Sequence, residues 1–240
     1  MAEATGARRE FLRVENLHAW YGESHILHGI DLVVREGELV TLLGRNGAGR
    51  TTTLKAILGL VPRRQGSIVV HGEQVMDLPP HKIARLGLGY CPEERGIFSS
   101  LDVEENLTLL PTLGPGGMSV DELYTLFPNL KERRKSQGTR LSGGEQQMLA
   151  LARILRTGAK LLLLDEITEG LAPVIVQLLG RALRTLKERG YTIVLVEQNF
   201  QFSAPLADRN YVIEHGQVVA AIPREGLEAE AERLHQLLGV

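Results

Sequence analysis

Leu39-Val40-Thr41-Leu42-Leu43-Gly44-Arg45-Asn46-Gly47-Ala48-Gly49-Arg50-Thr51-Thr52 decides how this chain folds. Its first five residues are an apolar run of strand length, and three glycines then make a turn. Leu54, Ile57 and Leu58 follow at helical spacing, so strand, loop and a helix over residues 51–60 are predicted. From Gly44 to Thr51 the spacing is that of a phosphate loop, G-x-x-x-x-G-K-[ST], at every fixed position except the lysine, where Arg50 stands. Glycines let the backbone N–H groups of Asn46, Gly47, Ala48 and Gly49 converge on phosphate oxygens, and the helix presents its positive end to them. The Thr51 hydroxyl can ligate magnesium, and Thr52 can add a hydrogen bond to phosphate. Arg50 keeps the charge of lysine but spreads it over a longer planar fork. Binding through charge-assisted hydrogen bonds is expected to survive, with the terminal phosphate positioned less well and turnover slowed.

A second apolar run, Leu161-Leu162-Leu163-Leu164, ends in Asp165-Glu166. That places two carboxylates at the carboxyl edge of a parallel sheet, where α/β folds bind ligands. Beside a phosphate loop, Asp165 is suited to hold a magnesium shell and Glu166 to orient or deprotonate an attacking water. Between the two lies Leu141-Ser142-Gly143-Gly144-Glu145-Gln146-Gln147, where Ser142 and Glu145 have capping-box spacing ahead of an apolar-periodic helix. Two glycines at a capped helix start form a second place suited to phosphate. If the two helix ends lie on separate surfaces, a two-fold pair of chains would close each second site over the other's nucleotide.

The rest of the chain reads as an organised α/β domain. Residues 11–40 alternate short apolar stretches with turns and predict short antiparallel strands. Residues 67–75 predict more strand, after which Pro79-Pro80 is expected to stop the chain. Residues 87–91 predict a strand, and residues 103–140 have helical periodicity broken at residues 113–117. Strand and helix then alternate to about residue 197, the pattern of a parallel sheet, and a closing hairpin is expected at His215-Gly216. At 240 residues and 43% hydrophobic composition, one domain with a full core is expected. A net charge of -2 gives no basic excess for nucleic acid, and the single cysteine, Cys91, excludes an internal disulfide. The polar start Met1–Gly6 lacks a secretory apolar stretch, and no apolar run approaches membrane-spanning length. The seven histidines show no metal-ligand spacing; His25, His28 and His81 are read as surface or loop positions.

The phosphate loop, Leu141 to Gln147, and Leu161 to Glu166, in this order, resemble the ATP-binding subunits of ABC transporters over nearly the whole chain. Within that superfamily, Gly44-Arg45-Asn46-Gly47, Thr168-Glu169-Gly170-Leu171-Ala172-Pro173, Val196-Glu197-Gln198-Asn199 and the closing Leu237-Leu238-Gly239-Val240 are most similar to the second ATP-binding subunit of branched-chain amino acid importers. The resemblance implies that Tyr21 stacks on adenine. It implies that Glu93 stands in the place of a glutamine joining magnesium to the transmembrane contact, and that Gln198 stands where many members have a switch histidine. It also implies that Ser142, Gly143, Gly144 and Gln146 reach a partner's ATP. Ile167 departs from the usual proline, which leaves the following loop's conformation open.

The expectation is therefore an α/β P-loop fold with an N-terminal antiparallel β layer, core 1–93 and 157–240, and a helical subdomain of about 94–156. The resemblance implies ATP and Mg2+ as ligands, Glu166 and Gln198 as catalytic residues, and magnesium held through Thr51, Glu93 and Asp165. It implies a cytoplasmic ATPase, peripheral on the inner membrane face, paired with a second ATP-binding subunit. Permease subunits and, indirectly, a solute-binding protein would complete an importer of branched-chain amino acids or related small polar solutes. Arg50, Glu93 and Gln198 keep an alternative open: an ATP-gated, non-catalytic subunit with hydrolysis mainly by a paralogous partner. A nucleic-acid-acting ABC ATPase is disfavoured by the charge balance.

Overall fold

The computed structural model describes residues 8–238. Met1–Gly6 and the final Gly239 and Val240, on which two of the readings above rest, lie outside the described residues. The chain opens with β1 (Glu10–Tyr21) and β2 (Ser24–Arg35), joined by a turn at Gly22. These are two twelve-residue strands rather than several short ones. Repeated register shifts along the pair interrupt the strict alternation, which is why the sequence read as broken. β3 (Leu39–Leu43), α1 (Arg50–Ile57), β4 (Arg63–Val70) and the two-residue β5 (Glu73–Gln74) follow. Then comes α2 (Pro80–Arg85), where the Pro79-Pro80 pair was expected only to stop the chain. Pro80 instead occupies the first helical turn, where its missing N–H costs nothing and its fixed φ suits the helix.

After β6 (Leu88–Cys91) the chain makes α3 (Val103–Thr108), α4 (Val120–Leu126), α5 (Pro128–Glu132) and α6 (Gly143–Arg156). Capping boxes start three of them, from Asp102 and Glu105, Ser119 and Glu122, and Ser142 and Glu145. β7 (Leu161–Asp165), α7 (Pro173–Glu188), β8 (Thr192–Val196), α8 (Phe200–Ser203), β9 (Arg209–Glu214), β10 (Gln217–Pro223) and α9 (Ala231–Leu238) complete it.

Two sheets result. One runs β2-β1-β4-β5 and is antiparallel; the other runs β10-β9-β3-β8-β7-β6 and is parallel except for β10. Every residue of β3, β7 and β8 is buried, as central strands covered on both faces must be. One apolar core lies between the two sheets and around α1; another joins α6, α7 and the helices α3, α4 and α5 to the opposite face of the parallel sheet. The order β3-β8-β7 is what builds the site. It sets the carboxyl ends of three strands side by side, each releasing a loop at one edge. His25 and His28 are strand residues of β2, not loop residues, and His81 lies in α2. His18, Trp20, His25 and His28 form a run of stacked and tilted rings on the first sheet.

Candidate functional site

Gly44 leaves β3 at φ 152°, with no room for a Cβ against the Ile213 carbonyl of β9. Gly49 caps α1 in the left-handed region, and an added Cβ there would meet Leu27 of β2 at 2.8 Å. The loop therefore threads between two neighbouring strands, which only glycine permits at these points. α1 begins at Arg50, one residue before the expected start.

Arg50 points away from solvent and is only 4% exposed. Its Nη2 donates to Glu166 Oε1 at 2.7 Å and to Asn46 Oδ1 at 3.3 Å. Its Nη1 is buried with no hydrogen-bond partner among the described residues. A buried guanidinium N–H left without an acceptor is costly. Thr51 donates its hydroxyl to Asp165 Oδ1 at 3.0 Å, and Tyr90 of β6 donates to Asp165 Oδ2 at 3.1 Å. Burial raises the Asp165 carboxyl above its usual range, against these two hydrogen bonds. A hydroxyl and a carboxylate held side by side are hard oxygen donors of the kind Mg2+ takes, so the residues fit that ion.

Glu166 has φ 47°, a left-handed conformation rare for a side chain of its size. Its second oxygen accepts from the Gln198 amide at 2.9 Å, so the loops after β3, β7 and β8 meet at one carboxylate. Glu93 and Glu169 join it: ligand oxygens of the three glutamates all lie within 4.8 Å of one another. The neighbouring Glu166 raises the Glu169 carboxyl, first through a hydrogen bond and then through like charge. A cleft of about 460 Å³ runs from the half-exposed Tyr21 and Ile26 across residues 46–52 to Glu93, Glu166, Glu169 and Gln198.

The cleft thus brings together Tyr21, Asn46, Gly47, Ala48, Gly49, Arg50, Thr51, Thr52, Glu93, Glu166 and Gln198, with Asp165 bonded beneath Thr51. Ser142, Gly143, Gly144 and Gln146 are not among its lining. Ser142 caps α6, accepting from the Glu145 N–H while its own N–H donates to that side chain. The Gln146 amide donates to the Gly138 and Leu141 carbonyls and accepts from Arg95, bonds that hold the preceding loop. Ile167 is buried in the core, which anchors the loop start that the sequence left open.

Three participants escaped the sequence reading. Tyr90 stands near the end of the strand predicted over residues 87–91, a reading that gave no sign of which carboxylate it would meet. Glu169 sits three residues past Glu166, and Glu197 directly before Gln198, so each was within sight of a residue already singled out. The partners of Tyr90 and Glu197 are distant in the chain, and only folding shows them.

A glycine-rich loop at the head of a helix, opposite a buried acid pair at the edge of a parallel sheet, defines a nucleotide-binding protein of the P-loop class. Residues 27–169 match the family model described as ABC transporter. The chain is 42% identical over 217 residues to the high-affinity branched-chain amino acid transport ATP-binding protein BraG of Pseudomonas aeruginosa, covering 87% of this chain and 91% of that one. It is 36% identical over 215 residues to the lipopolysaccharide export system ATP-binding protein LptB of Haemophilus influenzae, covering 87% and 89%. A solved ATP-binding subunit of an ABC transporter superposes with a TM-score of 0.80 at 27% identity, over 96% of this chain and all of the other. The chain belongs to the ABC transporter family, as one of its ATP-binding ATPases.

Proposed function

We propose that the cleft binds ATP with Mg2+ and hydrolyses it by water attack on the terminal phosphate. Tyr21 would stack on the base. The backbone N–H groups of residues 46–49, with Arg50 and Thr52, would hold the phosphates. Thr51 and Asp165, with Glu93 reaching in from the loop after β6, would hold Mg2+, which when bound neutralises phosphate charge. Glu166 takes the proton of the attacking water, and Gln198 keeps its carboxylate aimed. The observation that carries this reading is the convergence on one cleft of Arg50, Thr51 and Gln198 around Glu166, whose carboxylate accepts from Arg50 at 2.7 Å and from Gln198 at 2.9 Å. Glu166→Gln removes the base and is expected to lower kcat about 100-fold or more while ATP binding persists. Turnover undiminished in that variant would mean that hydrolysis proceeds without Glu166. An absence of Glu166-dependent turnover in the wild-type homodimer would favour the ATP-gated subunit paired with a catalytic paralogue.

The working unit in this reading is a pair of ATP-binding subunits, like or unlike, with Ser142, Gly143 and Gly144 of one closing over the nucleotide of the other, and Gln146 holding that segment in shape. Among the described residues no helix is long and apolar enough to cross a membrane. Permease subunits would therefore carry the solute, with this chain peripheral on the cytoplasmic face. The BraG relative supports branched-chain amino acid import. The LptB relative supports a second reading, in which the same engine drives lipid export. Uptake of labelled leucine by vesicles containing this chain and the membrane subunits that copurify with it decides between them. Import that requires Glu166 supports the first reading; ATP turnover stimulated by lipopolysaccharide and not by leucine with its binding protein supports the second.

A further inference from the structure

One carboxylate below the cleft ties two of its loops together without lining it. Glu197, directly after β8, is 2% exposed. It accepts from the Thr168 backbone N–H at 3.1 Å, and the Thr168 hydroxyl lies 2.9 Å from each of its oxygens. The Asn199 backbone N–H lies close enough to favour its charged form. Thr168 stands two residues after Glu166, and Glu197 directly precedes Gln198. Two further bonds join the same loops: the Glu166 N–H donates to the Val196 carbonyl at 2.9 Å, and the Gln198 amide donates to Glu166.

This arrangement is expensive in a way that plain support of the fold does not require. Among the described residues Glu197 has no ion-pair partner, and a buried carboxylate without a cation is unfavourable. A neutral side chain of similar shape could join the strands at lower cost. What a carboxylate adds is a set of strong, charge-assisted acceptor bonds to one backbone position. That position borders a glutamate held at φ 47°, a conformation that persists only where its surroundings fix it.

We infer that Glu197 is a positioning residue for ATP hydrolysis, holding Thr168 so that the backbone around Glu166 aims its carboxylate into the cleft. The inference rests on the assignment of Glu166 made above. The charged group acting on Glu197 is Glu166, which is itself paired with Arg50; the direct contacts are the neutral Thr168 and the Asn199 backbone.

Steady-state ATPase, binding of a fluorescent ATP analogue and amide exchange on the full chain test this. Glu197→Ala is expected to lower kcat about 10- to 100-fold, with KM and analogue affinity nearly unchanged, because a small misplacement of a catalytic group costs rate more than binding. Exchange over residues 166–171 should accelerate in the same variant. Glu197→Gln keeps an oxygen to accept from the Thr168 N–H, and is expected to restore most of kcat. Thr168→Val should cost a similar factor alone and little more when added to Glu197→Ala, as two ends of one interaction do. An alanine variant that turns over at the wild-type rate, or one whose KM rises as its kcat falls, overturns the inference. Glu166→Gln keeps the two readings apart. Wild-type turnover in that variant removes the base assignment, whereas unchanged exchange over residues 166–171 in Glu197→Ala removes the tie on its own.

Discussion

Arg50 holds Glu166 and Asn46 with one nitrogen, and its other terminal nitrogen has no acceptor among the described residues. A lysine there would carry a compact charge on a flexible stem in place of the rigid planar guanidinium that pairs with Glu166. Arg50→Lys is therefore expected to free Glu166 and raise kcat roughly tenfold, equivalent to about 1.4 kcal/mol of barrier. An unchanged or lower ATPase rate in that variant would contradict the idea that the pair restrains the base. Glu197 gives a pH prediction. Burial pushes its carboxyl up to about 7, against 4.5 for the free side chain. The folded state thus holds the proton more tightly than the unfolded one, so this residue's stabilising contribution is complete below about pH 4.5 and is lost as pH rises to about 7. Glu197→Gln should flatten that part of the stability curve and exceed the wild type at pH 8 by up to about 3 kcal/mol. Thermal melts from pH 5 to 8 check this, and parallel curves for the two proteins would refute it.

At the scale of elements, the phosphate loop is shaped by what it passes between. Gly44→Ala would drive a methyl group into the Ile213 carbonyl and impose a left-handed φ on alanine. The expected cost is about 1–3 kcal/mol of stability, together with a marked loss of ATP-analogue affinity, because the N–H groups no longer converge. Denaturant midpoints and equilibrium binding measure the two effects, and a variant that binds normally would show that the loop tolerates a shift. The elements also show where sequence patterns are reliable. Ser142 with Glu145 announced a helix start, because a capping box is a contact between residues three apart. Pro79-Pro80 misled, because the ring that ends one helix is equally at home at the start of the next. β1 and β2 were legible as strands but not as long ones, since bulges shift the alternation that would reveal their length.

Over the whole molecule, the cleft takes its lining from β1 and β2, the loops after β3, β6, β7 and β8, and the head of α1, while the capped start of α6 lies outside it. If two chains complete each other's sites, two inactive variants should repair one another. Ser142→Arg spoils the exposed second helix end, and Glu166→Gln spoils the catalytic carboxylate. Mixed in equal amounts with ATP, they should form heterodimers with one intact site and recover about one quarter of wild-type activity, as random pairing of two-fold partners gives. A mixture no more active than either variant alone would exclude the composite site.

The sequence by itself determined the class of fold, the phosphate loop, the Asp165-Glu166 pair and the capped glycines of α6. Each is written in residues adjacent in the chain or repeated at the period of one element, which is where local propensity and spacing act. Tertiary structure alone decided that Arg50 grips Glu166 across 116 positions, that Tyr90 supports Asp165 across 75, and that Glu197 holds Thr168 across 29. Those contacts depend on the order β3-β8-β7 and on parallel register, which bring distant strand ends to one edge. No short-range pattern encodes that order. It follows from how whole apolar strands and helices bury one another, and the site's chemistry is set only once that packing is complete.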